Sequence, residues 1–143
     1  MAILEQLQAD VKSAMKAGEK DKVQALRLIV ADLQRAEKEG GSDEITVLQS
    51  ARKKRLESAK AFRDGGRDEA ADQEESEAAM IEVYLPAQIS DDELAGIVAD
   101  AIEQTGAASP ADMGKVMGAV MPKVKGQADG NRVQSAVKER LLS

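Results

Sequence analysis

The residues best placed for a specific interaction lie near the C-terminus, in residues 113–132, with the sequence MGKVMGAVMPKVKGQADGNR. On a helix, steps of four residues fall on the same ridge. One ridge of this segment carries Lys115 and Lys123, and the ridge beside it carries Gly114 and Gly118. A cationic ridge beside main chain that has no side chains would let a polyanion, such as a phosphate backbone, come close.

The same spacing also fits a purely structural role. A glycine inside a helix costs roughly 1 kcal/mol relative to alanine, so two on one face indicate that something approaches the main chain closely. In this alternative a neighbouring helix does so, the methionines fill gaps in the core, and the lysines interact with the negative end of a helix dipole. The local charge favours the polyanion: from Met113 onward, six lysines and arginines accompany only Asp129 and Glu139, although the net charge of the chain is −6.

The composition excludes most catalytic chemistry. The 143 residues include no cysteine and no histidine, which rules out thiol nucleophiles, serine–histidine devices, disulfides and histidine–cysteine zinc sites. No spacing singles out a pair among the 26 aspartates and glutamates, and no glycine-rich phosphate loop follows a strand. We therefore predict no catalytic residue, no cofactor and no metal ligand.

Charge and hydropathy also limit the location and the partners. No run approaches the roughly 18 apolar residues of a membrane span, and the N-terminus lacks the apolar core of a secretory signal. Together with the absence of disulfides, this predicts a cytoplasmic protein that does not enter a membrane. A net charge of −6 repels nucleic acid on average, so only a local basic patch would bind it.

Aliphatic residues and alanine must build the core, because Phe62 and Tyr84 are the only aromatic residues. That composition favours helices over sheets. Apolar residues recur at spacings of three and four, which predicts helices at about 2–15, 21–38, a third that ends near 63, and 67–84. Ser42 is the expected cap of the third helix. The first helix is expected to bury Ile3, Leu4, Leu7, Val11 and Met15.

A basic tetrad, RKKR at residues 52–55, interrupts the apolar stripe of the third helix. Such a cluster is typical of nucleic-acid or localisation signals. Here Glu44 and Glu57 lie close in the sequence, and the fourth helix carries the acidic run DEAADQEESEAA. We therefore favour a solvated helix face, with the acidic helix neutralising the basic one.

The proline at residue 86 breaks the helical pattern, because a residue before proline is pushed out of helical geometry. We place a domain boundary there, between an N-terminal domain of four helices at 1–86 and a C-terminal domain of three helices at 87–143. The whole chain is then predicted to be all-α.

Start and stop signals define the helices of the C-terminal part. The capping box SDDE at residues 90–93 starts the fifth helix. The pair SP at residues 109–110 has the order of a cap and a first-turn proline for the sixth. Pro122 should kink or end that helix near Met121, and Asp129 is the expected cap of the last helix, residues 130–142.

Two longer motifs, YLPAQISDDEL and MGKVMGAVMPKVKGQADGNRV, resemble the GatB/YqeY family. The similarity continues through LRLIVADLQRAE and RLESAKAFRDGGRDEAADQEESE and covers nearly all 143 residues, so the chain looks like a free-standing YqeY-like protein. The resemblance implies an all-helical protein with four helices followed by three.

The resemblance also implies a function. The C-terminal part is similar to the tail of the B subunit of the glutamine-dependent amidotransferase that acts on misacylated tRNA. In that enzyme the tail contacts tRNA, while other domains transfer the amide. The resemblance thus implies a connection to carbon–nitrogen ligases without catalysis by this chain alone. The tRNA-facing role carries over to Lys115, Lys123, Lys125, Gly126 and Arg132.

Two non-catalytic roles are therefore expected. The first is a monomeric accessory module that binds tRNA through the C-terminal cations. The alternative is an adaptor whose glycine and methionine surface docks an amidotransferase or a ribosomal protein, since methionine-rich faces suit adaptable contacts.

Overall fold

The computed structural model of the protein describes residues 2–41 and 43–142, and within them the regular structure is seven α-helices and one 3₁₀ turn, with no β-strand. The all-α prediction is confirmed. The chain divides into two compact units, Met1–Leu85 and Pro86–Ser143, which we call the N-terminal and C-terminal units. The assignment of 1–86 and 87–143 as separate domains stays a prediction. None of the helices in the described residues is long and apolar enough to cross a membrane.

The N-terminal unit consists of four helices joined by short turns. Helix α1 packs on α2, α3 packs on α4, and α2 also contacts both α3 and α4. Each helix begins and ends within two residues of its predicted position, because glycine turns at 18, 40 and 66 stop the pattern sharply. The helices are α1 (Ala2–Lys16), α2 (Lys20–Lys38), α3 (Glu44–Asp64) and α4 (Asp68–Glu82).

The core of the N-terminal unit is aliphatic, as its composition requires. Its largest fully buried side chains are Leu7, Leu26, Ile29, Leu33, Leu48 and Ile81. The expectation that Met15 is buried is wrong: its side chain is 54% exposed, and Ala14 is buried instead. Ala14 lies seven residues after Leu7, two turns along the same face, whereas Met15 lies about 100° further round the helix.

A nearly buried arginine joins three helices of this unit. The Arg55 guanidinium on α3 lies 3.3 Å from Asp32 Oδ2 on α2 and 3.6 Å from Glu77 Oε1 on α4. Glu77 is only 7% exposed, and the side chain of Arg55 is 13% exposed. One mostly buried cation thus pairs with two carboxylates. Without the cation, neither carboxylate would have this neutralising charge.

The basic tetrad is therefore only half solvated. Lys53 and Lys54 are exposed, as expected, but Arg55 is held as described and Arg52 lies 2.6 Å from Glu82 of α4. The expectation of a wholly solvated face is wrong in this respect, since two of the four cations reach across to neighbouring helices. Neutralisation by the acidic fourth helix is confirmed.

Two carboxylates at the end of the turn between α2 and α3 accept hydrogen bonds from the first amides of two helices. The predicted cap, Ser42, lies outside the described residues, and Asp43 accepts a hydrogen bond from the Thr46 amide at 3.0 Å. The neighbouring Glu44 serves a different helix: its carboxylate accepts from the amides of Ile3 at 3.2 Å and Leu4 at 2.7 Å. One short segment thereby satisfies the start of α3 and the start of α1.

The C-terminal unit packs three helices around a valine core. They are α5 (Asp91–Thr105), α6 (Met113–Val120) and α7 (Gly130–Leu142), with a 3₁₀ turn at Pro110–Asp112. Ser90 caps α5 as predicted, since its Oγ accepts from the Glu93 amide at 3.1 Å. The largest fully buried side chains are Val98, Val116, Val120, Val124, Val133 and Val137.

The start of α6 differs from the prediction. Ser109 makes no capping hydrogen bond through its side chain, and the proline after it begins a 3₁₀ turn rather than the α-helix. The Asp112 carboxylate instead accepts from the Ala108 amide at 3.0 Å, which closes the turn from its other end. A carboxylate accepts this bond better than a hydroxyl, because the charge strengthens it.

Replacing Arg55 with alanine should destabilise the N-terminal unit by about 2–3 kcal/mol, because Asp32 and Glu77 lose their shared cation in a mostly buried site. Urea unfolding followed by the fluorescence of Tyr84, the single tyrosine and a donor to Asp10, measures this. Arg35→Ala is the matched control, because Arg35 also pairs with Asp32 but is 67% exposed, and it should cost under about 0.5 kcal/mol. Equal losses in the two variants would contradict this interpretation of Arg55.

Candidate nucleic-acid interface

The valine stripe of α6 sets which residues of this helix face outward. Val116 and Val120, with Val124 in the turn that follows, are fully buried. On a helix, the residues across from this stripe must then point away from the core. Gly114 and Gly118 are exposed, and so are Lys115 and Lys123. We call Gly114, Lys115, Gly118 and Lys123 the lysine–glycine surface.

The glycines of this surface have open space in front of them. A Cβ atom added at Gly114 or Gly118 would meet no atom within 4 Å among the described residues. No helix of the described chain therefore packs against these glycines, and the purely structural alternative does not explain them. Gly96, in the interior of α5, is equally open. The helices thus carry the energetic cost of glycine without a packing benefit inside their own unit.

The three lysines predicted to face RNA are all exposed. Lys123 Nζ lies 3.5 Å from Gln104 Oε1, at the end of α5. Lys115 lies near Asp112, and the hydrogen bond from the Ala108 amide, together with the charge of Lys115, holds the pKa of Asp112 below its usual value. Asp112 is therefore ionised at neutral pH and partly offsets the charge of Lys115.

Gly126, another predicted site residue, holds the turn between α6 and α7. Its φ of 80° lies in the left-handed region, where glycine carries no Cβ penalty. Its carbonyl accepts from Gln88 Nε2 at 3.1 Å, and the next carbonyl, of Gln127, accepts from the Ile89 amide at 2.8 Å. The buried turn at Gly126 thus anchors the segment that leads into α5.

Arg132 is engaged by the same segment. Its Nη2 donates to the Ile89 carbonyl and to Asp91 Oδ1, each at 2.8 Å. Its amide donates to Asp129 Oδ1 at 2.8 Å, so Asp129 caps α7 as predicted. Arg132 also lines a cleft of about 780 Å³ between α5 and α7. The structure therefore gives Arg132 a role in holding the fold, and its contact with RNA stays a prediction.

The methionines of residues 113–132 are less exposed to a partner protein than the adaptor alternative requires. Met113, Met117 and Met121 are each partly buried and pack against the valine core. Methionine fills irregular gaps well because its side chain is unbranched and flexible. The open part of this face is therefore supplied by glycine and lysine.

These features define an all-helical protein with two compact units, whose C-terminal unit carries an exposed lysine–glycine surface on α6 and the turn after it. The family model for Yqey-like proteins matches residues 4–141, nearly the whole chain. The chain belongs to the Yqey-like family, as the sequence motifs indicated. No curated protein matches it.

Replacing Arg132 with alanine should loosen the segment before α5, because the Ile89 carbonyl loses a charged donor. Hydrogen exchange of the Ile89 amide should accelerate about fivefold, which corresponds to about 1 kcal/mol. Asp91→Ala removes only the exposed partner and should change that exchange rate less than twofold. Unchanged exchange in Arg132→Ala would show that the hydrogen bonds do not hold this segment.

Gly118→Ala should stabilise the C-terminal unit by about 0.5–1 kcal/mol, because alanine is the better helix former and nothing lies in the way of its methyl group. Gly96→Ala should do the same and serves as the matched control. Thermal unfolding followed by far-ultraviolet circular dichroism measures both. A loss of stability in Gly118→Ala would mean that this face is occupied in the folded protein.

Proposed function

We propose that this protein is a non-catalytic accessory module that contacts the phosphate backbone of tRNA through the lysine–glycine surface of its C-terminal unit. The observation that carries the proposal is the open space at Gly114 and Gly118 beside the exposed Lys115 and Lys123. A phosphate group can approach main chain here more closely than at any position with a side chain, while the lysines supply the charge.

The charge distribution supports contact through a restricted area. From Met113 onward the chain has six lysines and arginines and two carboxylates, whereas the net charge overall is −6. An acidic remainder repels RNA that lies elsewhere on the molecule, so productive binding is confined to the basic segment. Binding of this kind depends steeply on salt, because each phosphate contact releases a counterion.

The residue types support recognition of the backbone rather than of the bases. The only two aromatic residues, Phe62 and Tyr84, belong to the N-terminal unit, so residues 86–143 offer no ring for base stacking. Proteins that read single-stranded bases use such rings. A folded RNA recognised by its shape and its phosphates, as tRNA is, fits this surface better than an unstructured strand.

The resemblance of the C-terminal part to the tail of an amidotransferase B subunit suggests tRNA in particular. With neither cysteine nor histidine, the chain lacks the side chains of thiol and serine–histidine catalysis, so a supporting role beside an enzyme fits better than amide transfer by the chain itself. The second candidate is an adaptor that docks an amidotransferase or ribosomal protein on the same face. Only the open glycines favour it, because the methionines pack inward.

Lys123→Glu combined with Lys125→Glu should lower the affinity for tRNA at least about tenfold and reduce the slope of log K against log salt by about two units. Gel shift or fluorescence anisotropy at several salt concentrations measures both quantities. Lys53→Glu with Lys54→Glu makes the same change in net charge at exposed positions of the N-terminal unit and should leave the slope unchanged.

A steric variant separates shape from charge. Gly118→Gln should weaken tRNA binding because its side chain fills the space that a phosphate would enter, while Gly96→Gln should not. The proposal fails if wild-type protein does not bind tRNA at low salt. It also fails if the Lys53 and Lys54 variant loses binding as much as the Lys123 and Lys125 variant.

A further inference from the structure

The N-terminal unit carries a second surface, whose residue types differ from those of the lysine–glycine surface. A cleft of about 570 Å³ opens beside the turn between α1 and α2, and most of its lining is apolar. Met15 and Leu28 border it and are 54% and 48% exposed. We call it the Met15–Leu28 cleft. Two large aliphatic side chains on one small opening form an apolar patch that water solvates poorly.

In the described part of the chain, no carboxylate pairs with Arg27 or Lys20 at this cleft. In the described part of the N-terminal unit, Arg35, Arg52, Arg55 and Arg63 each have a carboxylate within 4.0 Å. Arg67 lies over the ring of Phe62. Arg27 has neither among the residues that the structure describes, and its Nη2 lies 3.7 Å from the sulfur of Met15.

Lysine adds to the positive charge of the cleft. Lys20, at the start of α2, lines the cleft, and no carboxylate of the described residues lies within salt-bridge distance of it. The one acidic residue of the lining, Glu19, lies 3.8 Å from Lys22 Nζ, so its charge is already partly offset. The cleft therefore combines an apolar floor with a cationic rim, on a protein whose average field is negative.

We propose that the Met15–Leu28 cleft docks an amphipathic helix of a partner protein whose apolar ridge is flanked by glutamates or aspartates. A leucine of the partner would lie against Met15 and Leu28, and carboxylates one turn away on that helix would meet Arg27 and Lys20. The apolar contact provides the affinity, and the charges select an acidic helix over a basic one. RNA would contact only the cations of the rim, because phosphate groups make no favourable contact with Met15 and Leu28.

This docking site is independent of the proposed tRNA surface. It uses residues of α1, α2 and the turn between them, whereas the lysine–glycine surface lies in the C-terminal unit. The charge-reversed Lys123 and Lys125 variant should therefore keep full affinity for an acidic helix. Variants of the Met15–Leu28 cleft should likewise keep full affinity for tRNA.

Three synthetic helical peptides test the proposal on the full-length, isotope-labelled protein. The first carries two leucines one turn apart with flanking glutamates, the second has lysine in place of every glutamate, and the third has glutamine in place of both leucines. We expect the first peptide to bind and to shift the amide signals of α1 and α2 around the cleft. The second and third should bind at least about tenfold more weakly.

Variants of the protein locate the site. Leu28→Gln and Arg27→Gln should each weaken the first peptide about tenfold, whereas the controls Leu142→Gln and Arg35→Gln, at other exposed positions, should not. Equal affinity for the glutamate and lysine peptides, or binding unaffected by Leu28→Gln, would overturn the proposal. Two other results would also overturn it, because they would show a different occupant of the cleft. One is self-association of the protein that Leu28→Gln abolishes, and the other is sedimentation with anionic lipid vesicles that Leu28→Gln abolishes.

Discussion

The burial of one valine stripe controls the exposed chemistry of the C-terminal unit. Val116, Val120 and Val124 pack without exposure beside the valines of α5 and α7, which fixes the rotation of α6 about its own axis. Every other ridge of α6 is placed by that constraint. The glycines and lysines face outward because the valines face inward, and a rotation of one residue would bury a lysine in an aliphatic core at high cost.

Charge is distributed differently in the two units. In the N-terminal unit, arginines on α2 and α3 reach carboxylates on their own or neighbouring helices, with Arg55 held between two of them. Arg52, Arg55 and Arg63 thus join helices of this unit. In the C-terminal unit Arg132 has such a role, but the lysines of the α6 region extend into solvent. An acidic protein can in this way keep a small basic surface while part of its other positive charge is paired locally.

Helices, turns and most of the core follow from local patterns that the sequence displays. Spacings of three and four, glycine stops and the Ser90 cap suffice for the element bounds, since each depends on residues within one or two turns. The sequence alone does not decide whether Met15 or Ala14 is buried, because both continue the apolar stripe of α1. The position of the helix that packs against α1 decides it. The bonds of Arg132 to Ile89 and of Glu44 to the start of α1 join residues about 40 positions apart, which no local pattern reveals. For the candidate site, exposure of the lysines was predictable, whereas the anchoring roles of Gly126 and Arg132 were not.

In the proposed function, RNA meets the main chain of α6 where side chains are missing. Titration of tRNA into isotope-labelled protein at low salt, followed through backbone amide chemical shifts, tests it most directly. We predict that the largest changes occur at Gly114, Gly118 and Lys123 and vanish as salt is raised, because phosphate contacts are lost to counterions. Changes centred on the N-terminal unit, or no changes at any salt concentration, would contradict the account.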